Sequence, residues 1–267
     1  VPTVRVNGLD VYFEERGRGP RLLFFNGSGA TLARTRPMLD PFTERFDTVA
    51  HDQRGLGQTG IPPGPYRMAD YAADAAALLD QLGWDRCRVI GVSFGGMVAQ
   101  EFAVTWPERV TGLALCCTSP GGLGGASYPL QRLADLHGAE YAAALATLLD
   151  TRFTPPWLAT HPEDAAFVEM LATRPGRPTA DETRRGEDEQ LRARSGHDVC
   201  ERLPVIACPT LVASGRYDGI APPANGEAIA SRVPDATFRV YEGGHMFFIQ
   251  DRAAMPDLLE FLAADTG

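Results

Sequence analysis

The segment Arg88-Val89-Ile90-Gly91-Val92-Ser93-Phe94-Gly95-Gly96 decides how this chain is read. Arg88 to Ile90 is a short apolar run of the kind that forms a buried strand, and Phe94 to Trp106, closed by Pro107, carries a helical pattern. Between them Gly91, Ser93 and Gly95 form G-x-S-x-G. A serine held in a strained strand-to-helix turn needs small residues two before and two after it, because larger side chains would collide there. Gly91 and Gly95 meet that requirement, with Gly96 in addition. The plain alternative is a glycine-rich turn with an incidental serine; the strand before and the helix after give the match its weight.

Outward from Ser93 the same alternation recurs. Leu22 to Phe25, Thr48 to Ala50, Gly112 to Cys116, Thr210 to Ala213 and Phe238 to Tyr241 are further candidate buried strands. Thr3 to Val6 and Val11 to Glu14, around Asn7 and Gly8, read as an opening antiparallel hairpin, which makes eight strands. Tyr71 to Leu82 places Tyr71, Ala75, Leu78, Leu79 and Leu82 on one helical stripe that stops at Gly83, and Met255 to Ala264 reads as a last helix. The expected class is α/β, a mostly parallel eight-stranded sheet flanked by helices. Between Gly121 and Leu203 the alternation stops: a glycine-rich opening precedes helical segments around Leu130 to Leu149 and Pro162 to Leu171. Residues 1–120 and 204–267 are therefore read as the core, and 121–203 as an inserted helical cap over Ser93. Asp181 to Arg194, with charges of both signs, reads as a solvated helix face.

A serine hydroxyl is a weak nucleophile and needs a general base oriented by a third group. Of the five histidines, His51 ends a strand, His137, His161 and His197 fall in the expected cap, and His245 follows Gly243 and Gly244 after the last strand. His245 fits the chain order serine, acid, histidine. The acid is expected after the preceding strand, where Asp218 stands; an N-cap role is its structural rival, and Asp198, Asp235 and Glu242 are alternatives. Backbone donors for an oxyanion are expected at Phe94 and at Ser28 in the loop Asn26-Gly27-Ser28-Gly29. Apolar side chains, Trp157 in the cap and Phe94 and Phe247 beside the triad among them, are candidates for the pocket wall, with Trp157 and Phe247 the named substrate-binding candidates.

Gly55 to Gly60 matches G-x-G-x-x-G, but Ile61-Pro62-Pro63-Gly64-Pro65 follows, and that run cannot open the helix a pyrophosphate requires. A net charge of −9 argues against a nucleic-acid surface. No apolar stretch approaches the roughly 18 residues of a membrane span, and no targeting segment is read at the start. Cys87, Cys116, Cys117, Cys200 and Cys208 lack metal-ligand spacing and read as buried free thiols of a reducing compartment, so a cytoplasmic location without metal is expected.

The ordered set N-G-S-G at Asn26 to Gly29, D-Q-R-G-L-G at Asp52 to Gly57, G-V-S-F-G-G at Gly91 to Gly96, W-P-E-R-V at Trp106 to Val110, G-R-Y-D at Gly215 to Asp218 and G-G-H at Gly243 to His245 resembles the α/β-hydrolase superfamily. Ser93 through Cys117 looks most like enol-lactone hydrolases of the 3-oxoadipate type. The resemblance implies the α/β-hydrolase fold and cleavage of an ester or lactone, and the apolar side chains of the cap and beside Ser93 add the expectation of a small, largely apolar substrate. It implies Ser93, His245 and Asp218 as triad, the Phe94 and Ser28 amides as oxyanion donors, and no cofactor. Asn26 departs from the histidine usual before that glycine. A carbon–carbon hydrolase or cofactor-free perhydrolase with the same triad is the second reading, and a ligand-binding protein on the same fold the third.

Overall fold

In the computed structural model, which describes residues 2–172 and 181–264, the chain opens as its Asn7-Gly8 turn dictates. Both residues take positive φ, 49° and 74°, and β1 (Thr3–Val6) pairs antiparallel with β2 (Leu9–Arg16). β2 also pairs antiparallel with β4 (Asp47–His51), and from there the sheet is parallel. β3 (Arg21–Phe25), β5 (Cys87–Val92), β6 (Val110–Cys116), β7 (Thr210–Gly215) and β8 (Ala236–Tyr241) complete eight strands in the order β1-β2-β4-β3-β5-β6-β7-β8. Alternate residues of one strand feed opposite faces. Leu23 and Phe25 of β3 join one core cluster while Leu22 and Phe24 join the other.

α2 (Met68–Gln81) and α3 (Phe94–Thr105) cover the first face. α1 (Leu32–Thr43) and, at the end of the chain, the helix Ala254–Ala263 cover the second. α1 escaped the sequence reading because Pro37 and Pro41 lie inside it, yet it buries Leu32, Leu39 and Phe42. Its start is secured by the buried Asp52 carboxylate, which accepts the Leu32 N–H at 2.6 Å. The Gly55–Gly60 stretch is a turn: the Gly55 amide donates to the Gly60 carbonyl at 3.0 Å, and the next helix starts only at Met68.

Between β6 and β7 lie short 3₁₀ turns and α4 (Gly138–Leu149), α5 (Pro155–Leu158), α6 (Pro162–Ala172) and α7 (Asp181–Ser195). A single β-bridge between Gly121 and Asp198 ties the two ends of this segment together. α7 corrects one expectation. Its mixed-sign sequence reads as solvated, but Gly186, Gln190, Ala193 and Arg194 are buried. Gly186 sits so close to Gly55 that a Cβ would overlap the Gly55 carbonyl, and the Tyr66 N–H donates to the Glu189 carboxylate at 3.0 Å. α7 thus rests on the loops that follow the strands' C-terminal ends. After β7 come α8 (Pro223–Ala230) and, beyond β8, α9 (Phe247–Gln250) and α10 (Ala254–Ala263).

Candidate active site

Ser93 follows β5 and caps the start of α3 with φ 56° and ψ −115°, a conformation that costs a non-glycine residue energy and is held by its neighbours. Those neighbours need glycine. A Cβ on Gly91 would overlap the Gly95 carbonyl, one on Gly95 would overlap the Phe25 carbonyl, and one on Gly96 would stand 2.6 Å from the Thr118 Cβ. The Thr118 hydroxyl donates to the Ser93 carbonyl at 2.8 Å and fixes the turn from the β6 side.

His245 is delivered by the loop after β8. Gly243 takes φ 133°, and Gly244 passes so near Leu149 that a Cβ would overlap its carbonyl. The His245 N–H donates to that carbonyl at 2.6 Å. Gly244 also donates to Gln250 Oε1 at 2.8 Å, and Gln250 Nε2 donates to Asp150 Oδ2 at 2.9 Å. The buried Asp150 charge is matched by Arg152, whose Nε and Nη2 grip it at 2.9 and 2.6 Å. Asp150 and Gln250 carry no sequence signal, since their roles arise from contacts across a hundred residues.

The three expected residues come together. Ser93 Oγ and His245 Nε2 are 2.9 Å apart, and His245 Nδ1 and Asp218 Oδ2 are 2.7 Å apart. Asp218 Oδ1 accepts the Ile220 and Ala221 amides at 2.8 Å each, so the carboxylate is fixed at both oxygens. This turn also satisfies the structural rival for Asp218: one oxygen holds the local backbone and the other meets the imidazole. The alternatives are engaged elsewhere. Glu242 pairs with Arg216 at 2.6 Å, and Asp198 accepts the Cys200 amide at 3.2 Å. Asp235 is exposed and precedes β8, at the end of that strand opposite His245.

The other histidines do not reach Ser93. His161 stacks on Trp157 at 3.6 Å, His137 precedes α4 at the surface, and His51 packs edge-on against Phe25. His51 and His197 are buried, and burial pushes both imidazoles down to about 4. Both are therefore neutral in the fold at pH values where unfolded histidines, titrating at about 6.5, take up protons. Their contribution to stability is full above that value and is lost as pH falls toward 4. Urea midpoints are expected to drop between pH 7.5 and pH 5, and His51→Gln or His197→Gln to shrink the drop. An equal drop in both variants would contradict this origin.

The loop Asn26–Gly29 lies beside the serine, with the Gly27 Cα proton facing the Ser93 Cβ: a Cβ there would be 3.7 Å away. Among the described residues, neither the Ser28 amide nor the Phe94 amide donates to another group, which leaves both available. Asn26 is fully buried, and its side-chain oxygen and nitrogen have no partner among the described residues. The loop is instead held by Gln53 Nε2, which donates to the Asn26 carbonyl at 2.8 Å, and by Gln190 Oε1 of α7, which accepts the Gly29 N–H at 2.8 Å. Gln190 was missed in the sequence because a glutamine in a charged helix carries no periodic signal.

Two aromatic expectations need correction. Phe247 is fully buried and stacked on Tyr241 at 5.1 Å, in the core cluster that includes Phe24 and Ile90. It begins α9, which turns its ring away from His245 into the sheet. The Phe94 ring is likewise core, edge-on to Tyr71 at 5.1 Å, which leaves only its backbone next to Ser93. Trp157 bonds Asp164 at 2.7 Å and stacks on His161, with Arg152 5.2 Å over its ring; none of these partners is a triad residue. One cluster of metal-ligating types occurs among the described residues, Cys117, Asp218 and His245, with ligand atoms within 4.8 Å. Burial, with the Asp218 charge behind it, pushes the Cys117 thiol well above its usual range, which disfavours the thiolate a metal needs. All five cysteines are buried and unpaired.

Residues 20–252 match the family described as the alpha/beta hydrolase fold. A poly(3-hydroxyalkanoate) depolymerase of Ectopseudomonas oleovorans is 31% identical over 244 residues, which span 90% of this chain and 83% of that protein. The 3-oxoadipate enol-lactonase 2 of Acinetobacter baylyi is 28% identical over 242 residues, 90% of this chain and 87% of the other. Among solved structures, the enol-lactonase from Burkholderia xenovorans LB400 matches 98% of this chain and 100% of its own with a TM-score of 0.78, at 22% identity, a likeness of fold.

Proposed function

The chain belongs to the alpha/beta hydrolase fold family, and on that premise we propose that it cleaves a carboxylic ester or lactone of a small molecule through an acyl-enzyme on Ser93. The observation that carries this reading is the unbroken line from Ser93 Oγ to His245 Nε2 at 2.9 Å and from His245 Nδ1 to Asp218 Oδ2 at 2.7 Å. Ser93 Oγ attacks the carbonyl carbon while His245 Nε2 takes its proton, and Asp218 holds the imidazole with Nε2 free to accept. Negative charge gathers on the carbonyl oxygen, where the Phe94 and Ser28 amides receive it. His245 then protonates the departing alkoxide. Water, deprotonated by the same imidazole, attacks the acyl-enzyme and returns Ser93.

Residues 121–203 act in this reading as a cap. Its support is that α7 holds the Gly29 amide through Gln190 and that Leu149, at the end of α4, holds the His245 amide. The aromatic pair Phe153 and Phe167, 6.2 Å apart, serves the cap's own packing. The names of the two relatives, a depolymerase and an enol-lactonase, support an ester or lactone as the bond.

The test is a turnover panel of short p-nitrophenyl esters, lactones and β-diketones, with a peroxide and halide arm. Esters or lactones are expected to turn over and to leave a transient acyl adduct on Ser93. Turnover of β-diketones alone would replace the ester reading with carbon–carbon hydrolysis, and halogenation alone with perhydrolysis. Tight retention of ligands without turnover of any would mark a binding protein.

A further inference from the structure

α7 brings one more charged group to this site. Arg194 is only 5% exposed, and its Nη1 donates to the Tyr128 carbonyl at 2.7 Å. Its Nε and Nη2 are buried and have no partner among the described residues. A buried guanidinium with one hydrogen bond is costly, and such a group calls for an explanation. Elsewhere in this molecule the same edge, Nε with Nη2, grips a carboxylate in three arginines, and Arg202 holds Glu101 through Nη1 and Nη2 instead. Arg36 holds Glu14 with the Nε–Nη2 edge at 3.0 and 2.6 Å, Arg54 holds Asp74 at 2.8 and 2.9 Å, and Arg152 holds Asp150 at 2.9 and 2.6 Å. In Arg194 that planar two-pronged edge meets no carboxylate of the described residues.

The place of Arg194 decides what the edge can serve. Gln190, one turn earlier on the buried face of α7, holds Gly29 in the loop beside Ser93. Tyr128, which anchors Arg194, donates its own N–H to the Ile220 carbonyl at 2.7 Å, two residues beyond Asp218. The buried face of α7 therefore runs from the oxyanion loop to the Asp218 turn. The line Gly27, Ser93, His245, Asp218 runs between the same two anchors. Asp218 makes no hydrogen bond or ion pair with Arg194; its Oδ2 meets His245 and its Oδ1 accepts two amides. Burial pulls the guanidinium down to about 10, against the pull of the Asp218 charge, so it stays protonated at neutral pH.

Resting on the hydrolase reading above, we propose that Arg194 recognises a carboxylate on the substrate, so that the ester or lactone cleaved at Ser93 is one carrying a free carboxylate group. The Nε and Nη2 hydrogens bind its two oxygens side by side, an arrangement a point-charge ammonium cannot reproduce. The substrate is then mostly apolar with one anionic end, and the scissile carbonyl is set by the distance from that end to Ser93.

The test compares two probes of matched shape, the p-nitrophenyl monoester of glutaric acid and p-nitrophenyl valerate, by their ratio of kcat/KM. The ratio cancels any loss common to both. The wild-type ratio is expected to favour the charged ester by roughly tenfold or more, as befits a charge-assisted pair. Arg194→Gln should collapse it by about 10- to 100-fold, mainly through KM of the charged ester, and Arg194→Lys should restore only part. Should the variants fold poorly, the wild-type protein decides alone: free glutarate should inhibit valerate hydrolysis competitively, and glutaramide should not. An unchanged ratio in Arg194→Gln, or equal inhibition by glutarate and glutaramide, would overturn the proposal. Failure of the wild type to cleave either ester would instead overturn the hydrolase reading on which it rests.

Discussion

Ser93→Ala is expected to lower kcat by roughly a million-fold on the best ester or lactone, with the fold unchanged. The size follows from geometry. Ser93 Oγ is the atom 2.9 Å from His245 Nε2, and its loss removes the covalent route altogether. What remains is water attack on a substrate still bound and still polarised by the Ser28 and Phe94 amides, which is why the rate does not fall to the uncatalysed value. Alanine also suits the turn sterically: it keeps the Cβ that already tolerates φ 56°, so denaturation midpoints should match the wild type closely. Stopped-flow or long-time product assays give the number. A loss below about a hundred-fold would mean that another group supplies the nucleophile, since a serine triad that acts as one unit does not lose so little.

Asp218→Asn is expected to cost kcat about ten-thousand-fold with KM little changed. Asn keeps an oxygen for the Ile220 and Ala221 amides, so the turn should survive. The other end of the side chain changes sign. Where a carboxylate oxygen accepts from His245 Nδ1 at 2.7 Å, an amide NH₂ presents a donor, and the imidazole responds by placing its proton on Nε2. Nε2 then faces Ser93 with a hydrogen instead of a lone pair and cannot take the serine proton. A structural defect would lower stability and raise KM together, whereas the tautomer fault strikes kcat with the fold intact. A loss under about tenfold would exclude Asp218 as the group behind His245.

The sheet was legible because strands buried on both faces must be continuous apolar runs, and Leu22 to Phe25 or Gly112 to Cys116 have no other reading. The elbow was legible because its steric demand selects glycine at fixed offsets, at Gly91 and Gly95, and the order serine, acid, histidine picked one member from each later loop. What escaped has a shared physical reason. α1 violates the local rule against internal proline and is stabilised by contacts that only the fold supplies, including Asp52. The buried face of α7 is built from Gly186, Gln190 and Arg194, polar or small residues that leave no hydrophobic period, so its stripe reads as solvent-facing. Phe247 was misplaced for the converse reason. An aromatic two residues from His245 looks like a pocket wall in one dimension, and only the turn into α9 carries it to Tyr241.

The most direct test of the central claim is active-site labelling with a fluorophosphonate probe followed by peptide mapping. If Ser93 is the nucleophile that His245 activates, one probe molecule should bind per chain, on Ser93 and on no other serine, with loss of hydrolysis in proportion. Labelling should vanish in Ser93→Ala and become slow in Asp218→Asn. Adducts on a different residue that track the loss of activity, or full hydrolysis by protein quantitatively labelled at Ser93, would contradict the account.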